Sequence, residues 1–63
     1  MEKQMTIREI RTELFSTNKH TTHKDGTIMS NKESRDFFYT KDNQDELLKV
    51  TNYKTHLVIW DND

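Results

Sequence analysis

A chain of 63 residues, a third of them charged and none of them cysteine, with a formal net charge of -1, is expected to be one small domain near the lower size limit for independent folding. Neither a disulfide nor a thiolate zinc site can reinforce its small core, and the lack of cysteine favours an intracellular, cytoplasmic protein. The low apolar content borders on that of disordered chains, but the small net charge does not, and the longest apolar run, "LVIW" at residues 57 to 60, is far short of the roughly 20 residues of a membrane span.

The first element begins in "MTIREI", residues 5 to 10. Thr6 followed by Glu9 is a capping box, in which the hydroxyl accepts from the Glu9 amide while the carboxylate reaches back. Met5 and Ile10 stand where a hydrophobic staple would place them. Ile7, Ile10, Leu14 and Phe15 share one helical face, which predicts a helix from about residue 6 to 17.

The next stretch, "KHTTHKDG" at residues 19 to 26, is polar. Its threonines favour extended backbone, and Asp25-Gly26 is a turn dipeptide. A short edge strand is expected near residues 19 to 24. His20 and His23, with Asp25 and His56, are the only candidates for a metal site. Histidines three apart share a face on a helix but point to opposite sides of a strand. A zinc site needs three or four ligands, and the HxxH spacing alone is a weak signal, so no metal or other cofactor is expected.

Ser30 and Glu33 make a second capping box, predicting a helix over about 31 to 41 with Ser34, Phe37 and Phe38 inward. "RDFFYT" read alone would suit a short strand, and the upstream cap decides for helix. The segment from Met29 to Asn43 also matches Met5 to Lys19 at a constant offset of 24 residues, as 29 against 5. Arg35 answers to Arg11 and Tyr39 to Phe15. Two helices sharing one start signal is the simpler account, and an old duplication is the alternative.

The period changes in "ELLKVTNYKTHLVIW", residues 46 to 60, which reads as a β-hairpin turning at Asn52 and Tyr53, with Val50 opposite Thr55 and Leu48 opposite Leu57. Alternation puts Leu48, Val50, Leu57 and Ile59 on the face toward the helices. Leu47, Lys49, His56, Val58 and Trp60 fall on the other. The expected architecture is α+β: two short capped helices on a small antiparallel sheet, with the last strand at its edge.

Enzymatic readings find little support. One glycine cannot make a phosphate-binding loop, and no spacing suggests a catalytic triad. Residues 1 to 35 carry seven Lys/Arg against five Asp/Glu, and Arg8, Arg11, Lys32 and Arg35 hold matching places on the two helices. They are the candidate nucleic-acid contacts, although interleaved glutamates compensate them. The favoured expectation is a non-enzymatic protein–protein interaction module, forming a homodimer and contacting its partner through Leu47, Val58 and Trp60. The Asn/Lys/Thr/Asp-rich composition suits a small bacteriophage or mobile-element protein that inhibits a host protein.

Overall fold

Thr6 ends one element and begins the next. In the computed structural model, which describes residues 2–60, strand β1 (Glu2–Thr6) runs directly into helix α1 (Ile7–Ser16). Thr6 stays extended, its hydroxyl accepting from the Glu9 amide at 3.1 Å while its own N–H donates to the Glu9 carboxylate at 2.8 Å. Ser30 and Glu33 repeat this at 3.2 and 3.0 Å to open α2 (Asn31–Tyr39). Both predicted starts hold to within a residue. The helices stop slightly earlier than predicted because threonines close them. Thr17 donates to the Glu13 carbonyl from both hydroxyl and amide, and the Thr40 amide donates to Asp36.

The remaining strands are β2 (His20–His23), β3 (Ile28–Met29), β4 (Leu47–Asn52) and β5 (His56–Trp60), in one sheet of order β1-β4-β5-β2-β3. All neighbours are antiparallel except β2 and β5, which run parallel. Three expectations are corrected here. The sheet is mixed rather than antiparallel, and β1 is a further strand, paired with β4 from Glu2 opposite Thr51 to Thr6 opposite Leu47. The strand near residues 19 to 24 is not an edge, because the two-residue β3 lies outside it. The last strand is the central one, with β4 on one side and β2 on the other. Of the run "LVIW", Leu57 and Ile59 are buried toward the helices, and Val58 and Trp60 are half-buried on the opposite face.

The hairpin also closes further along. Val50 faces Ile59 and Asn52 faces Leu57, with Tyr53, Lys54 and Thr55 as the link and the Tyr53 amide donating to the His56 carbonyl at 2.9 Å. Val50's partner thus moves from Thr55 to Ile59, an even slide, so every side chain keeps its predicted face.

Met5, Ile7, Ile10, Leu14, Phe38, Val50, Leu57 and Ile59 form the core between the sheet and both helices, with Leu48 against it. Phe15 and Phe37 were expected inward. Phe15 is instead 56% exposed beneath the Arg35 guanidinium, and Phe37 lies beneath the Lys41 ammonium. Two buried hydroxyls join α2 to β2: Thr21 and Ser34 oxygens stand 2.9 Å apart, and Ser34 also accepts from the Thr21 amide at 3.1 Å. This satisfies polar groups that would otherwise be costly to bury.

Residues matched by the 24-residue offset take matching places. Arg11 lies over the Tyr39 ring at 4.6 Å, and Arg35 lies over the Phe15 ring at 5.1 Å, a reciprocal exchange between the helices. The same shift carries β1 and α1 onto β3 and α2, while β2 lands on residues 44–47, of which only Leu47 belongs to β4. The pairs β1–β4 and β2–β3 each join an early strand to a later one, and β5 lies between the two pairs.

Candidate functional site: the open face of the sheet

Both helices pack on one face of the sheet, and strand alternation assigns the side chains of the other. Thr51, Val58, Trp60, Lys49, Gln4, Thr22, His20, His56 and Ile28 lie there, fixed by the pairings Thr51 with Val58, Lys49 with Trp60, Thr22 with Val58 and Thr22 with Ile28. Leu47 shares this face at the start of β4 and is 49% exposed, while Val58 and Trp60 are half-buried. The predicted contact residues are therefore on one face, as alternation required.

They do not form a single apolar cluster. Lys49 stands opposite Trp60, and Thr51 opposite Val58. Leu47 is diagonal to Trp60 and further from Val58. The indole N–H of Trp60 donates to the Thr51 hydroxyl at 2.9 Å, and the Lys24 ammonium lies 5.9 Å from the ring centre. These contacts hold the ring in place, and Trp60 is half-buried.

Sequence reasoning missed two members of this surface. Ile28, at 72% exposure, faces outward from β3, and Tyr53, at 49%, projects from the hairpin link. Tyr53 stacks on His56 with ring centres 4.8 Å apart, and His56 stacks on His20 at 5.5 Å. The parallel register places His20 directly beside His56. Only the strand order brings these residues together, and no local pattern announces it.

Of the candidate metal ligands, His20, His23 and Asp25 separate, and His56 lies beside His20. His20 is on the open face, and His23 is on the helix face, edge-on to Phe37 at 5.9 Å and stacked on Phe38 at 6.5 Å. The Asp25 carboxylate accepts from the Thr27 amide at 2.9 Å, and that hydrogen bond holds it below the usual carboxylate range. Among the described residues no three or more His, Cys, Asp or Glu side chains gather as a metal site.

The basic residues lie on the helix layer. Arg8 pairs with Asp45 at 3.3 Å and Lys32 with Asp36 at 3.5 Å. Arg11 donates to the Gln44 side chain at 2.9 Å besides covering Tyr39. A shallow groove of about 490 Å³ on α1 is lined by Arg8, Arg11, Thr12, Phe15 and Ser16, with no histidine or carboxylate to act as a base.

Among the described residues no helix is long and apolar enough to cross a membrane. No protein-family model, curated protein or solved structure matches the chain.

Proposed function

We propose that this chain is a non-enzymatic protein-binding module that docks through the open face of its sheet. One observation carries the reading: Leu47, Ile28, Tyr53, Val58 and Trp60 lie on or beside a sheet face that neither helix covers. The apolar side chains alternate with Lys49, Thr51 and Thr22, so the face offers a partner both apolar and polar contacts. Trp60 is the natural anchor, because its hydrogen bond to Thr51 orients the ring before any partner arrives.

A second copy related by a two-fold axis is one occupant of this face, forming a homodimer at micromolar or higher concentration. The finer role in this reading is that of a small bacteriophage or mobile-element protein inhibiting a host protein in the bacterial cytoplasm. Sedimentation of the wild type and of Trp60→Ala tests the contact. The variant should fall to monomer mass while keeping its helical circular dichroism. A wild type that is monomeric at high concentration removes the homodimer. Capture of a bacterial protein that survives both Trp60→Ala and Val58→Lys removes this face as the docking surface.

A second reading, nucleic-acid binding through Arg8, Arg11, Lys32 and Arg35, has one observation in its favour. Arg11 and Arg35 sit on adjacent helices and form no ion pair among the described residues. Retention on a duplex column that falls steeply with salt, and is lost in an Arg11→Gln, Arg35→Gln double variant, would decide for it.

A further inference from the structure

We infer that His20 and His56 form a two-imidazole site for a divalent transition ion of the Cu²⁺, Ni²⁺ and Zn²⁺ class. The two residues are register partners on adjacent parallel strands and point to the open face. Their rings are 5.5 Å apart between centres and 25° from parallel, and both side chains are half-buried. The sheet holds neighbouring strands about 4.8 Å apart, so the backbone spacing of the pair is set before any ion arrives.

The geometry suits a chelate. Imidazole nitrogen binds zinc at about 2.0–2.1 Å, so two nitrogens sharing one ion stand about 3–4 Å apart. With ring centres 5.5 Å apart, the two side chains must turn about their own torsions to bring one nitrogen of each to that separation with the lone pairs converging. A second contact prepares one ligand. His56 Nδ1 lies 3.0 Å from the Thr55 hydroxyl oxygen. With its proton on Nδ1, His56 donates to that oxygen and leaves the Nε2 lone pair for the ion. Metal-binding histidines ordinarily have such an outer partner, which fixes tautomer and ring orientation. Tyr53 braces the far side of the same ring at 4.8 Å.

The donor set also determines which ions fit. No third His, Cys, Asp or Glu joins the pair among the described residues, so water completes the coordination. Nitrogen ligands favour copper, nickel and zinc over magnesium and calcium, which take oxygen. Copper should bind most tightly, in keeping with the general affinity order of divalent ions. The site does not depend on the protein-binding reading, although it shares the same face.

The untagged full chain, titrated separately with CuCl₂, NiCl₂ and ZnCl₂ in a calorimeter, should take one ion per chain, with copper tightest. His20→Ala and His56→Ala should each weaken binding about ten-fold or more, because a chelate loses half its protein ligands. His23→Ala, on the opposite face, should bind as the wild type does. A readout that needs no variant is amide NMR with substoichiometric Cu²⁺, which should broaden the signals of His20, Thr21, His56 and Leu57 before those of the helices. Absence of binding, one ion per two chains, broadening centred on another region, or unchanged affinity in the His20→Ala, His56→Ala double variant would each overturn the site.

Discussion

Asn31 ties the end of one helix to the start of the other, and replacing it tests that tie directly. Its side-chain amide nitrogen lies 3.1 Å from the Leu14 carbonyl, 3.3 Å from that of Thr17 and 2.6 Å from that of Lys19. The first turn of α2 thereby caps the last turn of α1. An amide carries two protons, so at most two of the three bonds are full at once. Each contributes about 0.5–1.5 kcal/mol net, which gives about 2 kcal/mol for Asn31→Ala. At roughly 0.05–0.15 kcal/mol per residue, a chain of this length has only about 3–9 kcal/mol in total. With a urea slope of about 1 kcal/mol/M, the midpoint should fall by about 2 M. Asn31→Asp keeps the shape but turns a carboxylate toward three carbonyls at the negative end of the α1 dipole, and should be worse than alanine. A midpoint within about 0.2 M of wild type for Asn31→Ala, or an aspartate variant more stable than the alanine one, would refute this account.

Thr6→Ala and Ser30→Ala should each lower stability by about 0.5–2 kcal/mol in denaturant melts, since each removes one half of a capping box. The backbone N–H groups of Thr6 and Ser30 donate to Glu9 and Glu33 and hold both carboxyls below the ordinary glutamate value. A depressed folded pKa means a contribution present above the unfolded value of about 4.3 and lost as pH falls through the folded one. The melting temperature should therefore decline on acidification below about pH 4, and less so in a Glu9→Gln, Glu33→Gln double variant. Gly26 has φ +97° with nothing within 4 Å of an added Cβ, so Gly26→Ala should cost about 1–2 kcal/mol through backbone strain alone and Gly26→Asn less.

The features legible in the sequence are those with local causes. A capping box spans four residues, and both helix starts could be read from one. Alternation in the hairpin survives an even slide, so the open face carrying Leu47, Val58 and Trp60 was readable even though the pairing was not. Strand β1 was not readable, because Glu2, Lys3 and Gln4 have no apolar alternation and their partners lie at the far end of the chain. The burial of β2 depends on Thr21, in a stretch that reads as polar, finding Ser34 on the inward face of α2. The hairpin link brings Tyr53 to His56, but His20 joins the row only because β5 inserts beside β2, a decision of topology rather than of residue type.

The central position of β5 has a consequence for folding kinetics. Only β2 with β3 and β4 with β5 are joined by short connections and can zip as local hairpins. The remaining joins close long loops: Lys3 must find Val50, and Thr21 must find Leu57. The β1–β4 and β2–β3 pairs stand on opposite sides of β5, so the sheet is continuous only once β5 lies between them. Helix formation can be early and fast, but the sheet is completed through distant contacts whose loop entropy is lost before the core repays it. For so small a chain, the rate-limiting step should be the docking of the β4–β5 hairpin against β2. Substitutions at Leu57 and Ile59 should then slow folding, while those at the helix caps mainly hasten unfolding.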